Sequence, residues 1–236
     1  MLENGIEQLQ RAGPNHPMTG SDTANKAGAA NADIQDCCLH QWIEHQAEAR
    51  PDAIAVKCGD ESLDYATLNQ LANQLATELL EQGLETDSPI GLCLERSTNL
   101  IVGILGILKA GGAYVPLDPD YPPDRLAHIL DQARPTIIVS NDAVKDILPT
   151  SSAALVNIER LSATETANPN INLAADQLCY IIFTSGTTGL PKGVMVSHRN
   201  VARLFTTLAN DLEFTHDDVW TLFHSYAFGF SAWEIF

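Results

Sequence analysis

Positive charge is scarce in this sequence. Only 13 Lys and Arg residues stand against 30 Asp and Glu residues in a chain of 236, and the formal net charge is −17. An acidic surface of this kind repels nucleic-acid phosphates and anionic membranes. We therefore expect neither nucleic acid nor a membrane as a partner. We also expect any phosphate ligand to be bound by a local site in which backbone N–H groups are prominent.

Long apolar runs and paired cysteines are also absent. The longest apolar stretch, residues 100–108, reaches about half of the ~20 residues that a bilayer-spanning helix needs. The first ten residues lack the apolar segment of a signal peptide. Because the five cysteines form no Cys-x-x-Cys pair, we expect reduced, buried thiols, no metal ligands in this chain and a cytoplasmic location. His198 is expected to form hydrogen bonds at a helix start rather than to bind a metal.

Aromatic residues are missing from residues 1–36, which are rich in Gly, Asn, Ala, Ser and Thr. Such a segment buries too little surface to offset the entropy that is lost on ordering. We therefore predict a flexible leader at 1–36 and a folded domain at 37–236. Because the chain stops within an apolar, aromatic-rich segment at Phe236, we expect this domain to be truncated at its C-terminal end.

From residue 38 onward, short apolar strands alternate with amphipathic helices. The predicted strands are 53–57, 90–94, 113–117, 136–140 and 154–158, and the predicted helices are 40–50, 68–80, 98–110 and 123–132. Apolar strands separated by helices are typical of parallel sheet that is covered on both faces. The predicted fold class is α/β, with mostly parallel sheets flanked by helices.

One segment combines a lysine with many small polar residues. An apolar strand at 180–183 leads into residues 184–193, where glycines let the backbone approach a ligand and turn its N–H groups inward. Hydroxyl groups add neutral donors, and a lysine adds one positive charge. The residues expected to bind phosphate are Thr184, Ser185, Gly186, Thr187, Thr188, Gly189 and Lys192. Their spacing is not that of a Walker A loop, and the chain contains no Gly-x-Gly-x-x-Gly motif.

Several segments resemble one enzyme superfamily. Residues 184–193 resemble the phosphate-loop signature of adenylate-forming enzymes, which include acyl-CoA synthetases, luciferases and the adenylation domains of nonribosomal peptide synthetases. Residues 62–69 and 108–118 resemble two further core motifs, and residues 92–97 match the peptide-synthetase branch. The resemblance extends over about residues 38–236 and indicates the N-terminal part of an adenylation domain.

This resemblance implies a two-step reaction in nonribosomal peptide or hybrid polyketide biosynthesis. A carboxylate attacks the α-phosphorus of ATP, pyrophosphate leaves, and the acyl-adenylate then passes to the phosphopantetheine thiol of a carrier-protein domain. Mg²⁺ is implied as a second cofactor, with its protein ligand beyond residue 236. Lys192, Thr184 and Thr187 are implied as catalytic residues, because they would stabilise the phosphate charge as pyrophosphate leaves.

Residues 224–234 resemble a fourth motif of the family, Phe-Asp-x-Ser, but Gly229 occupies the Asp position. In members that activate amino acids this Asp pairs with the α-ammonium group. A desolvated ammonium without such a partner costs several kcal/mol. We therefore expect a small starter acid without an α-amino group, activated by a loading module. Alternatively, another acid replaces the Asp, or the amine lies elsewhere, as in a β-amino acid.

The same motif implies the residues of the acyl pocket, which are His224, Phe228, Gly229, Phe230 and Trp233. Core packing would explain Phe230 and Trp233 equally well. Either His224 or Phe228 is the candidate for an aromatic gate that moves when ATP binds. Two other functions stay open, a stand-alone acyl-CoA synthetase and a non-catalytic fragment or interaction module, because later motifs of the family are absent from the chain.

Overall fold

The computed structural model of the chain describes residues 9–12, 36–162, 166–169, 171–185, 190–208 and 218–236. The helices are α1 Leu39–Ala49, α2 Tyr65–Glu81, α3 Thr98–Lys109, α4 Pro123–Ala133, α5 His198–Leu208 and α6 Ser231–Ile235. The strands are β1 Leu9–Ala12, β2 Ile54–Cys58, β3 Glu61–Asp64, β4 Pro89–Leu92, β5 Ala113–Pro116, β6 Ile137–Ser140, β7 Ala154–Asn157, β8 Leu178–Ser185, β9 Pro191–Ser197 and β10 Val219–Leu222.

The larger sheet has six strands in the order β7-β6-β4-β5-β8-β9. All neighbouring strands are parallel except β8 and β9, which form an antiparallel pair. Strands β5 and β6 are buried along their whole length, as expected for parallel strands with helices on both faces. The prediction of an α/β fold with a mostly parallel sheet is confirmed.

Two cores cover the two faces of this sheet. On one face, α2 and α3 pack closely against each other, and a Cβ added to Gly106 would lie 2.6 Å from the side chain of Leu75. On the other face, Leu126 and Ile129 of α4 pack with Val115 and Phe183. The sheet is thus fixed from both sides, and its carboxyl ends supply the surface on which a ligand site can form.

The smaller sheet has four antiparallel strands in the order β10-β1-β2-β3. Gly59, with a φ of +57°, lies in the turn between β2 and β3. Strand β1 falls inside the segment for which the sequence predicts a flexible leader, so these four residues differ from that expectation. The strand is held by backbone pairing with β2 and β10, which requires no aromatic side chain. The other leader residues up to 35 lie outside the described residues.

All five cysteines lie in the described part of the chain, and none forms a disulfide. Four of them are buried, and burial raises the pKa of Cys38 to about 11 and that of Cys93 to about 12. These thiols are therefore protonated at neutral pH, in agreement with the expected reduced, buried cysteines. Across the ranges that the structure describes, no helix has both the length and the apolar character that a membrane span requires.

Candidate active site

The predicted phosphate loop lies between two paired strands. Thr184 of β8 stands opposite Lys192 of β9, and Ser185 stands opposite Pro191. Thr184, Ser185 and Lys192 are exposed, and directly opposed residues have Cβ atoms about 5 Å apart. The tip residues Gly186, Thr187, Thr188 and Gly189 lie outside the described residues. The loop therefore connects two strands, whereas a Walker A loop leads from a strand into a helix.

Helix α4 contacts both sides of this loop. The guanidinium of Arg125 donates to the carbonyl oxygen of Phe183 at 3.4 Å, just before Thr184. Nε2 of His128 donates to the carbonyl oxygen of Pro191 at 2.8 Å, just before Lys192. One helix thus holds the two ends of the loop at a fixed separation. Sequence reasoning missed both residues, because nothing in the spacing of α4 marks them as partners of a distant hairpin.

The second part of the site is the segment that follows β10. The Arg96 guanidinium donates to the carbonyl oxygens of Leu222 and Phe223, at 2.5 and 2.8 Å. The Ser225 hydroxyl donates to Asp118 just beyond β5, and the Tyr226 hydroxyl donates to the Leu92 carbonyl at the end of β4, at 3.1 Å. This segment therefore lies at the carboxyl ends of β4 and β5.

The same edge of the sheet carries the phosphate loop. Strand β8 runs parallel to β5 and is its neighbour, so its carboxyl end, with Ser185, lies at the edge that also holds Asp118. Ligands of open α/β sheets bind outside the carboxyl ends of the strands. The topology thus brings the two predicted parts of the site to one side of the molecule.

Aromatic rings surround His224. Phe228 stacks on its imidazole with ring centroids 5.3 Å apart, and Phe223 and Phe230 contact it at 5.3 and 5.2 Å at steeper angles. Phe228 and Phe230 are 57% and 54% exposed. The structure thus brings together three of the predicted pocket residues on an open apolar surface. Their role in binding an acyl group stays a prediction.

Gly229 lies on the same surface. The residue is exposed, and a Cβ added to it would meet no atom within 4 Å. Its φ is outside the left-handed region that favours glycine. Neither packing nor backbone conformation therefore requires a glycine at this position, and an Asp side chain would fit there.

Trp233 packs with other aromatic residues on α5 and β10. Its ring stacks on Phe205 at 4.6 Å and meets Trp220 edge-on at 5.9 Å. Phe205 in turn contacts Trp42 at 5.5 Å. Trp233 thus packs with aromatic side chains of α5 and β10, and Phe230 contacts His224; the role of both residues in an acyl pocket stays a prediction.

Glu234 is a further residue at this site that sequence reasoning missed. Its Oε2 accepts the backbone N–H of His224 at 3.0 Å, and its Oε1 lies 2.8 Å from His224 Nδ1. The side chain of Glu234 is only 8% exposed. The sequence did contain one signal for this role, since Glu234 is an acid within an apolar run. A carboxylate that is buried there needs hydrogen-bond donors close by.

Among the described residues, one group of three side chains has the composition of a metal site. Cys38, His40 and His198 are buried, and their potential ligand atoms lie within 4.8 Å of one another. However, Nδ1 of His198 accepts the N–H of Leu39 at 3.2 Å, and the N–H of Cys38 donates to the side-chain oxygen of Gln41 at 2.8 Å. These bonds favour a hydrogen-bonded cluster between the starts of α1 and α5.

Burial determines the charge of this cluster. It lowers the pKa of His198 to about 4 and that of His40 well below its usual value. Both imidazoles are therefore neutral at pH 7. His198 is the first residue of α5 and accepts a hydrogen bond there, so its predicted role at a helix start is confirmed.

Comparison with known proteins identifies the family and the fold of this chain. The model of the AMP-binding enzyme family matches residues 43–236. The chain therefore belongs to the family of AMP-binding enzymes. It is similar to malpinin synthetase of Mortierella alpina, with 48% identity over 218 residues, and to tyrocidine synthase 1 of Brevibacillus parabrevis, with 42% identity over 202 residues. These alignments cover 91% and 84% of this chain but only 3% and 19% of the two relatives.

Solved structures give the same result for the fold. The nonribosomal peptide synthetase FmoA3 in its form with bound α-methyl-L-serine-AMP matches with a TM-score of 0.78 and 25% identity. The match covers 92% of this chain and 25% of that chain. A form of FmoA3 with bound AMPPNP matches with a TM-score of 0.76 over 94% of this chain and 25% of that chain, at 25% identity. The fold is thus that of the N-terminal part of a peptide-synthetase adenylation domain, as predicted.

Proposed function

We propose that this chain binds the phosphates of ATP and the acid in an adenylation domain that forms an acyl-adenylate. The acid's carboxylate attacks the α-phosphorus of ATP, pyrophosphate leaves, and the acyl group then passes to the phosphopantetheine thiol of a carrier domain. The observation that supports this proposal best is the β8–β9 hairpin, in which exposed Thr184 and Lys192 face each other at the carboxyl edge of the sheet. FmoA3, which has the same fold, binds AMPPNP.

In this proposal the hairpin acts by electrostatics. Lys192 and the hydroxyl groups of Thr184 and Thr187 stabilise the charge that develops on pyrophosphate as it leaves. Ser185, Thr188 and the backbone at Gly186 and Gly189 complete the phosphate site. The donor groups of the hairpin suit phosphate oxygens rather than a cation. We propose that the protein ligand of the Mg²⁺ that accompanies ATP lies outside this hairpin.

We further propose that the activated acid lacks an α-amino group. Gly229 supplies no carboxylate, although an Asp side chain would fit there. Among the described residues, the two carboxylates that hydrogen-bond to this segment already accept other donors. Asp118 accepts hydrogen bonds from Ser225 and from the N–H of Asp120, and both oxygens of Glu234 face His224. An ammonium group would thus lack a ready partner, which suits a starter acid taken by a loading module.

ATP–pyrophosphate exchange with the full-length gene product tests both proposals. The panel pairs α-amino acids with their keto, hydroxy and des-amino counterparts, for the wild type and for Gly229→Asp. We expect exchange with acids that lack the amine, and a shift of at least about tenfold toward the amino acid in the variant, since a new ion pair stabilises the ammonium. Exchange only with α-amino acids would contradict the substrate proposal. A folded wild type without exchange for any acid would favour a non-catalytic module.

A further inference from the structure

Glu234 forms hydrogen bonds with both the backbone N–H and the ring Nδ1 of His224. These bonds determine which ring nitrogen carries the proton. We propose that Glu234 is a positioning residue that keeps the imidazole proton of His224 on Nδ1 and leaves Nε2 as the nitrogen available to a ligand. The inference rests on the proposed function, because it assigns this nitrogen to the adenylation site. His224 is suited to the role, since 37% of its side chain is exposed.

The hydrogen bonds determine the tautomer. An ionised carboxylate has only acceptor atoms, so a ring nitrogen 2.8 Å from Glu234 Oε1 must carry the proton. The backbone N–H of His224 donates to Oε2 of the same carboxylate at 3.0 Å, which fixes the carboxylate relative to the ring. The neutral imidazole then keeps its lone pair on Nε2.

The neighbouring contacts hold this pair in place. Phe228 stacks on the ring, and Phe223 and Phe230 flank it, so rotation of the imidazole would disturb three aromatic contacts. On the other side, the Ser231 hydroxyl donates to the Tyr226 carbonyl at 3.3 Å, which ties the start of α6 to the segment after His224. Glu234 lies on this short helix and is therefore fixed with it.

The lone pair on Nε2 makes this nitrogen a hydrogen-bond acceptor. With Nδ1–H bonded to Glu234, Nε2 accepts a hydrogen bond from an O–H or N–H group of a ligand. In the proposed reaction such groups occur on the ribose and adenine of ATP and on a hydroxy acid.

Glu234→Gln is an isosteric test of the tautomer. The Gln carbonyl can still accept the backbone N–H of His224, but its NH₂ group then faces Nδ1 and donates to it, so the ring proton moves to Nε2. Long-range ¹H–¹⁵N NMR spectra of the histidine side chains distinguish the two tautomers. The His224 signals are assigned by their loss in His224→Phe, and Glu85→Gln removes the same charge at an exposed site as a control.

We expect the Nδ1–H tautomer in the wild type and in Glu85→Gln, and the Nε2–H tautomer in Glu234→Gln. An Nε2–H tautomer in the wild type, or an unchanged tautomer in Glu234→Gln, would overturn the proposal. The wild-type spectrum is decisive by itself, so the proposal stays falsifiable even if the variant does not fold.

Pyrophosphate exchange with the full-length gene product tests the functional consequence. Glu234→Gln should lower kcat/KM at least about tenfold, while Glu85→Gln matches the wild type. A rise in KM for the acid would place Nε2 at the acid, and a rise in KM for ATP would place it at the nucleotide. An altered tautomer with unchanged kinetics would refute the role in the reaction. A wild type without exchange would refute the proposed function, while the spectra still decide the positioning role.

Discussion

The two parts of the candidate active site are held in different ways. The phosphate hairpin rests on the backbone ladder between β8 and β9, and α4 adds one side-chain bond at each end. The aromatic segment after β10 depends mainly on side chains, since Arg96, Asp118 and Glu234 fix its backbone and its histidine. A backbone ladder should tolerate the loss of one side chain better than the aromatic segment does. Substitutions in the hairpin should therefore affect chemistry, and substitutions around the aromatic segment should affect geometry.

Lys192→Ala gives the largest expected effect. The side chain is exposed, so stability should change by less than about 0.5 kcal/mol. Pyrophosphate exchange should fall by roughly 10²–10³-fold, because one charged donor to the transition state is lost. Lys57→Ala, at another exposed strand position, serves as the control. An unfolded variant, or one with wild-type exchange, would contradict the expectation that Lys192 contributes to the reaction and not to stability.

Mild acid should destabilise the end of the hairpin. Strand β9 leads directly into His198, whose pKa burial lowers to about 4 from a usual value of 6.5. The unfolded chain binds this proton below about pH 6.5, while the folded chain keeps the imidazole neutral until about pH 4. Stability is therefore fully present above pH 6.5 and falls as the pH drops to 4, by on the order of 3 kcal/mol from His198. Urea unfolding between pH 7.5 and 4.5 measures this loss.

A matched pair of variants isolates the titrating group. His198→Asn removes the imidazole but keeps an acceptor near the position of Nδ1, which bonds the N–H of Leu39. The loss of stability between pH 6.5 and 4.5 should become smaller in this variant. His45→Asn, on the exposed side of α1, should keep the wild-type slope. Equal slopes in all three proteins would show that His198 does not cause the pH dependence.

The phosphate loop is contiguous in sequence, whereas the aromatic segment is held by residues far away along the chain. This difference explains which features the sequence could predict. The apolar strand before Thr184 and the glycines and Lys192 after it predicted the position of the loop along the chain, but strand β9 was not predicted. The parallel sheet followed in the same way from apolar strands alternating with helices. By comparison, Arg96 reaches Leu222 across 126 positions, and His128 reaches Pro191 across 63. No local pattern encodes such pairs, because they exist only once the fold brings the chain together.

The pairing of strand β1 and the stacking of Trp233 are two further features that the sequence did not predict. Strand β1 is stabilised by pairing with β2 and β10, and backbone pairing leaves no trace in composition. Trp233 lies in a motif associated with the acyl pocket, a role that stays a prediction, and its ring stacks on Phe205, a contact that the motif does not predict. A motif gives the position of a residue along the chain, whereas the face of a short helix that it occupies depends on the surrounding packing.

Arg96→Lys should have the smallest effect, and it tests whether the two parts are independent. Lysine cannot reproduce the two-nitrogen contact with the carbonyls of Leu222 and Phe223. We expect a loss of about 1–2 kcal/mol in unfolding free energy. The KM for the acid should rise up to about tenfold, since the ring of His224 would be less well fixed. Arg203→Lys, at an exposed position of α5, should match the wild type.

The KM for ATP in Arg96→Lys tests whether the aromatic segment and the hairpin are independent of each other. Arg96 contacts only the aromatic segment among the hydrogen bonds described above, and the hairpin is held by its own ladder and by α4. If the two parts are independent, the KM for ATP stays at the wild-type value while the KM for the acid rises. An equal rise in both would mean that the carboxyl edge of the sheet transmits a shift at Leu222 to the β8–β9 hairpin. The aromatic segment and the hairpin would then be structurally coupled.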